Sequence, residues 1–379
     1  MNTEQKNGKS ILIISDINID SGFGKEYVVY NFAKEISNRY HVILFESNKG
    51  DPKNNYNEEL ITKGVNVRFF DNLFGSFFPY SLIATKTLIS LLKTTDMVYL
   101  AESDLFTDIL ITILRKFFKF KVFRGYHNPL HYELLPNGKK ISKYSARNLY
   151  YRLILRLEKG FDGIHVENSD HKEALLEMGY KKIVLTHPYV LSNISSSQPT
   201  KFNEFSIIFL GRLNYHKGSD LIPQIINSIN NLGIKFHAYV AGDGILYPKI
   251  REFCSNNENC IFLGYITSKE RDSYLSKCHI LIAPTRVEAF MIAGIEAMAF
   301  GTPVISFPVP GPNDYIRDGL NGFIAKNVEE LSQRVKIVYS DFVNGDYQKY
   351  MVNCLETASE YTLDAGKGKY IELIEKLMN

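Results

Sequence analysis

Short apolar runs alternate with amphipathic stretches along this chain, stop once, and then resume; no other feature limits its possible folds so strongly. A run of four to eight apolar residues followed by a 3.6-residue apolar period marks a parallel strand covered by a helix. In the first half the pattern predicts strands at 11–15, 41–45, 65–70, 97–101, 121–125, 163–167 and 183–186. Helices are predicted between them at 24–37, 81–93, 105–118, 143–159 and 169–178. Residues 192–203, SNISSSQPTKFN, have no hydrophobic period and read as a polar linker. The rhythm then restarts, with strands at 206–210, 235–241, 260–263, 280–283 and 303–306 and helices at 219–232, 247–256, 268–277, 292–300 and 329–339. Residues 346–377 read as helical too. The expected fold class is α/β, with two Rossmann-like doubly wound domains, residues 1–195 and 196–360, facing a central cleft. Residues 361–379 are expected to form a C-terminal helix, with the option of crossing back to the first domain.

Bulk properties agree with two domains. A chain of 379 residues exceeds one hydrophobic core, and 45% hydrophobic with 22% charged residues is the profile of a globular protein. The opening MNTEQKNGKS is polar and the ILIIS after it is too short for a secretory signal. No stretch reaches the ~18 apolar residues of a spanning helix. Cys254, Cys260, Cys278 and Cys354 show neither CxxC pairing nor metal spacing, so four reduced thiols in a cytoplasmic setting are expected. Charge is uneven. Between Arg115 and Lys159 there are 12 Lys and Arg against two acids, Glu133 and Glu158, an excess of 12 − 2 = +10.

Two stretches carry chemistry. Gly211-Arg212-Leu213-Asn214-Tyr215-His216-Lys217-Gly218 follows a predicted strand and opens a helix. A glycine allows a tight turn there, and Arg212 and Lys217 add two cations beside a helix N-terminus, a combination that favours a diphosphate. A solvated basic turn is the alternative. Farther on, Glu288 sits in a loop and Glu296 lies eight residues later in a helix of small and apolar residues. A carboxylate in such company costs free energy unless a polar group engages it. A ribose diol would do so, and a backbone contact is the structural alternative.

GRLNYHKG, then VAGDG at 240–244, IFLGYI at 261–266, Glu288 and Glu296 running into EAMAFGTPVI, and GPNDYIRDGLNGF at 311–323 stand in a fixed order. In this the sequence resembles the retaining GT-B enzymes called family 4 glycosyltransferases. The resemblance covers the C-terminal half closely and the N-terminal half more loosely, through Gly22-Phe23-Gly24, His127-Asn128 and Glu167-Asn-Ser-Asp170. It implies a catalytic set of Arg212, Lys217, Glu288 and His127. Arg212 and Lys217 would bind the donor diphosphate, Glu296 the ribose hydroxyls, and Glu288 the donor sugar. Gly211 and the backbone around Phe290 and Met291 would face the donor, and Gly22 and Gly24 would approach the β-phosphate. His127 would stand near the transferring carbon; taken alone, it reads more often as a structural histidine. No D-x-D triplet occurs, so no metal clamp is indicated, and no cofactor is implied beyond a nucleotide-diphosphate sugar as substrate. The family usually has glycine where this chain has Ala289 and Met291, and its Asn-Gly-Val-Asp is here Thr186-His187-Pro188-Tyr189-Val190.

The implied activity is metal-independent transfer of a hexose-type sugar to a glycan, lipid-linked or other acceptor. The basic segment, with RKFFKFKVFR at 115–124 and KYSARNLYYRLILRLEK at 143–159, interleaves cations with apolar groups. It suits a peripheral contact with an anionic membrane on the cytoplasmic face. A buried strand flanked by solvated charge is the plainer reading, and no nucleic-acid recognition motif accompanies it. The rival functions are a silent glycosyltransferase-like subunit supporting a partner, suggested by Ala289 and Met291, and another two-Rossmann enzyme such as an epimerase or phosphorylase.

Overall fold

The computed structural model describes residues 8–22, 24–71, 80–102, 105–127, 153–192, 194 and 200–379. Two compact units emerge. Residues up to 127, 153–190 and Gly366–Asn379 form one, and Leu191–Ala365 form the other.

In the N-terminal unit, β1 (Ser10–Ser15), β2 (His41–Ser47), β3 (Asn66–Phe70), β4 (Met97–Glu102), β5 (Lys121–Tyr126), β6 (Gly163–Val166) and β7 (Ile183–Leu185) make one sheet. Its order is β3-β2-β1-β4-β5-β6-β7, and every pairing is parallel. Parallel strands buried on both faces need continuous apolar residues. Ile11 through Ile14 meet that need, each fully buried in β1. One face packs Ile11, Ile13, Phe32 and Tyr99; the other packs Leu12, Ile14, Leu88 and Ile111.

The C-terminal unit holds β8 (Ser206–Leu210), β9 (His237–Ala241), β10 (Cys260–Gly264), β11 (Ile280–Ala283), β12 (Val304–Ser306) and β13 (Gly322–Ile324). These pair in parallel in the order β10-β9-β8-β11-β12-β13. The chain reverses direction of travel across the sheet between β8 and β11, and between β1 and β4 in the other sheet. Such switch points leave a crevice beyond the strand ends where ligands fit.

Helix starts follow local chemistry. Ser81 accepts from the Ala84 amide, Asn168 from His171, and Thr267 forms a reciprocal box with Glu270. The last helix, Lys369–Met378, inserts Tyr370, Leu373, Ile374 and Leu377 into the core built by Ile11, Ile13 and Phe123. It therefore belongs to the N-terminal unit although it ends the chain.

Several elements differ from the sequence reading. β13 overlaps the end of GPNDYIRDGLNGF, where glycines and charge hide a three-residue strand. Helices Tyr56–Thr62 and Pro312–Tyr315 are short enough to escape periodicity. Most of the expected helix 143–159 lies outside the described residues, which resume at 153. Cys254 and Cys260 are joined by a disulfide, against the expectation of four free thiols. Cys254 closes helix Tyr247–Ser255 and Cys260 opens β10, so the turn between them brings their Cα atoms to 4.7 Å. Cys278 and Cys354 are free and buried.

Candidate functional site

β8 delivers the chain to Gly211 at φ 143, with open space where a Cβ would stand. The side of Gly211 where a side chain would stand is open to a ligand, while its carbonyl packs against Gly242. Arg212 follows, exposed, and among the described residues it meets no carboxylate. The loop then closes on itself, since Asn214 Oδ1 accepts from the Lys217 amide at 3.0 Å. Gly218 has φ 68, and a Cβ there would overlap the Pro284 carbonyl oxygen. Only glycine lets the basic loop press against the residues that leave β11. Arg286 locks the same junction, forking onto Asp220 at 2.7 and 2.9 Å and donating to the Tyr215 carbonyl at 2.8 Å.

That junction fixes the central contact. Lys217 Nζ donates to a carboxylate oxygen of Glu288, which also accepts from Thr285 Oγ1 at 3.2 Å. Glu288 is nearly enclosed, its side chain 9% exposed, so the ammonium offsets a costly desolvation. Gly211, Arg212, Lys217, Glu288 and Met291 line one cavity of about 80 Å³ at the β8–β11 switch point.

Behind the cavity, Met291 takes φ 61 and ψ 68 and caps the helix Ile292–Met298. It is the one non-glycine residue with positive φ among those described. This explains why the family's glycine is at home here: the backbone is left-handed whichever residue occupies it. Tyr315 Oη holds the Met291 carbonyl at 3.1 Å. Phe290 is buried, its ring 5.6 Å from those of Tyr315 and Tyr361, and its backbone packs so closely on Gly311 that a Cβ there would overlap it. Glu296 does not line the cavity. Arg271 Nη1 meets its carboxylate at 2.7 Å, and Arg271 also bonds Asp272 at 2.9 Å. Burial pushes the Glu296 carboxyl up, and the Arg271 guanidinium opposes that. Arg271 escaped the sequence reading because SKERDSYLSK looks like an ordinary solvated helix.

The N-terminal unit places Gly22 and Gly24 before helix Lys25–Ile36. The Glu26 carboxylate fills the space where a Gly22 Cβ would stand, so that first turn already carries an anion. Asn54 Nδ2 donates to the Gly22 carbonyl at 2.8 Å. Beneath the loop, Glu46 accepts from the Ile19 amide at 2.9 Å and from Asn57 Nδ2 at 2.6 Å. Burial nevertheless pushes the Glu46 carboxyl up to about 8. Neither Glu46 nor Asn57 belongs to a motif, so no local pattern points to them.

His127 lies just past β5, buried, with Nδ1 2.6 Å from Glu167 Oε1. Tyr99 Oη stands 3.3 Å from His127 Nε2 and 2.6 Å from His165 Nδ1. His165 Nε2 reaches the Thr186 carbonyl at 3.2 Å. A carbonyl only accepts, so Nε2 carries the His165 proton and Tyr99 donates to Nδ1. Burial drives His165 down to about 3, which keeps it neutral in this chain of bonds. Asn128, the other residue of that motif, lies outside the described residues. Among the described residues no cluster of three metal-ligating side chains occurs.

The basic segment divides on inspection. Arg124 is enclosed beside Asp108 and Glu158, Arg115 pairs with Asp162, and Lys121 donates to the Met378 carbonyl. Lys116 and Lys119 are exposed, whereas Arg147 and Arg152 lie outside the described residues.

Residues 192–353 match the family model described as "Glycosyl transferases group 1". An "Uncharacterized glycosyltransferase MJ1178" of Methanocaldococcus jannaschii is 33% identical over 132 residues, 34% of this chain and 36% of that protein. The phosphatidylinositol N-acetylglucosaminyltransferase gpi3 subunit of Schizosaccharomyces pombe is 26% identical over 165 residues, 42% of this chain and 36% of its own length. In both the match spans well under two thirds of the relative. Among solved structures, Anabaena Alr3699/HepE in complex with UDP and glucose superposes with TM-score 0.72 at 17% identity, covering 96% of this chain and 99% of that one. The pneumococcal O-GlcNAc transferase GtfA in complex with UDP and GlcNAc gives TM-score 0.71 at 13% identity, covering 98% and 99%. Both neighbours share the two-sheet GT-B fold with this chain.

Proposed function

We propose, from the match of residues 192–353 to the glycosyl transferases group 1 model, that the chain transfers a hexose-type sugar from a nucleotide-diphosphate sugar, with retention of anomeric configuration. The observation that carries this reading is the cavity at the β8–β11 switch point, where Gly211, Arg212 and Lys217 on one loop meet Glu288 on the next. The UDP held with glucose or GlcNAc by proteins of the same fold supports a nucleotide-sugar donor.

In this reading the C1–O bond to the diphosphate breaks with its electron pair on the leaving oxygen. The acceptor hydroxyl oxygen bonds C1, and its proton ends on the released diphosphate. Charge grows on the leaving group, so preorganised cations beside it lower the barrier most. Arg212, exposed and without a carboxylate partner among the described residues, supplies one. Lys217, steered by Glu288, supplies the other and links leaving-group charge to the carboxylate beside the sugar. By the family resemblance Glu296 would take the ribose hydroxyls, Gly22 and Gly24 the β-phosphate, and His127, held by Glu167, the acceptor side. The acceptor is a glycan or a lipid-linked group presented at an anionic membrane surface, and the leaving group is handled without a metal clamp.

The test is a panel of nucleotide sugars with release of free nucleotide as readout, followed by proton NMR of early product. Retention and persistence in EDTA are expected. An inverted product, or chelator sensitivity reversed by Mg²⁺, contradicts the mechanism. Failure to release nucleotide from any donor, with or without candidate acceptors, favours a silent subunit.

A further inference from the structure

Helix Leu105–Leu114 and the turn after it show an unusual outer face. Ile111 is buried in the sheet core, with Leu110 and Leu114 packed against it. That leaves Ile109, Ile113 and Phe117 at four-residue spacing, 36%, 48% and 76% exposed. Ile109 and Ile113, one turn apart, fall in one line along the helix, and Phe117 follows in the turn that closes it, its amide on the Leu114 carbonyl. Scattered surface apolar residues are ordinary, but an aligned set ending in an exposed aromatic marks an interaction surface. On the neighbouring helix Leu82–Leu92, packed on the same core, Leu82 and Ile83 are 83% and 77% exposed.

Charge identifies the partner. Lys116 and Lys119 flank Phe117 and are exposed. The acids that could oppose them face elsewhere. Asp108, the helix's one acid, is enclosed beside Arg124, and Asp162 is taken by Arg115 and the Val122 amide. Lys86 and Lys93 add exposed cations on the neighbouring helix. A second copy of the chain would bring Lys116 and Lys119 against themselves. An anionic bilayer accepts both features, apolar side chains below the headgroups and lysines among them.

We propose that the line Ile109, Ile113 and Phe117, with Lys116 and Lys119 beside it, is the surface by which this protein docks on an anionic membrane. The proposal rests on the membrane-presented acceptor put forward above, but not on the sugar-transfer reaction itself.

Vesicle flotation at low salt tests it, with the full chain and neutral or anionic phospholipid vesicles. The wild type should float with anionic vesicles and little with neutral ones. Ile113→Ser with Phe117→Ser should weaken partitioning at least about tenfold, and Lys116→Gln with Lys119→Gln should abolish the preference for anionic lipid. All four side chains are exposed, so unchanged circular dichroism and thermal melting should confirm intact folding. Nucleotide release with a soluble acceptor should be unaffected in these variants, which separates this surface from the reaction. If the wild type floats and the serine pair floats equally well, the stripe is not the docking surface, although the membrane reading survives. If the wild type ignores anionic vesicles, both fall, and a Phe117-dependent dimer in light scattering would assign the stripe to a second copy.

Discussion

Around the β8–β11 cavity Lys217 meets Glu288, Arg286 meets Asp220 and, farther out, Arg271 meets Glu296, whereas beneath the Gly22 loop and at the His127 turn burial works against charge. There the Glu46 carboxyl is pushed up to about 8 and the His165 imidazole down to about 3. The difference follows from what the proposed function asks of each region. A loop that receives a diphosphate needs cations, and cations at a half-buried cavity need carboxylates to hold them in place. A backbone loop at Gly22 and a histidine turn at His127 need rigidity instead. Hydrogen bonds among buried groups of reduced charge supply that rigidity without a large desolvation cost.

The largest expected effect breaks the charged side. Lys217→Ala and Arg212→Ala should each lower turnover two to three decades, on the order of 2–4 kcal/mol, with the fold intact. Steady-state nucleotide release reads this directly, and near-wild-type turnover in either variant would remove the loop from the site. The neutral side is tested by pH. The unfolded chain releases the Glu46 proton near pH 4.5 and the folded chain near 8. This contribution to stability is therefore complete below about pH 4.5 and lost as pH rises through 8, at a slope of about 1.4 kcal/mol per pH unit. Chemical denaturation at pH 5, 6, 7 and 8 should show that slope flattening in Glu46→Gln; an unchanged slope would mean Glu46 is not the group responsible.

Much of the fold could be read from the chain because both parallel sheets demand continuous apolar strands, and strands such as ILIIS and IIFL stand out. The site divides less evenly. The cavity residues sit in compact motifs, so Gly211, Arg212, Lys217, Glu288 and Met291 could be named together before their geometry was known. Their supports could not. Arg271 and Asp220 lie in stretches that look like solvated surface, and Glu46 and Asn57 meet only because β2 and a short helix converge under the Gly22 loop. The Cys254–Cys260 disulfide was missed because its six-residue separation matches no motif; it depends on a helix-to-strand turn. Contacts set by tertiary convergence leave no local period to find.

Smaller effects sharpen the comparison. Arg271→Ala leaves the Glu296 carboxylate half-enclosed without its cation, and a loss of about 1–2 kcal/mol in stability is expected from equilibrium denaturation. Arg271→Lys should recover part of it, since a point charge replaces the planar fork. If Arg271→Ala is neutral, solvent rather than Arg271 supports Glu296. At Met291, both Ala and Gly lose a buried side chain, but only Gly relieves the left-handed backbone. Met291→Ala should therefore be less stable than Met291→Gly by about 1 kcal/mol, and a reversed order would place the strain elsewhere.

Calorimetric titration with a nucleoside diphosphate tests the central claim without knowledge of the acceptor. The account predicts that uridine diphosphate, the nucleotide held by the structural neighbours, binds the wild type more tightly than uridine does. It further predicts that the Arg212→Ala, Lys217→Ala double variant, still folded, loses at least about a hundredfold in affinity, roughly 2.7 kcal/mol. Binding of uridine diphosphate that is unchanged in the double variant would contradict it.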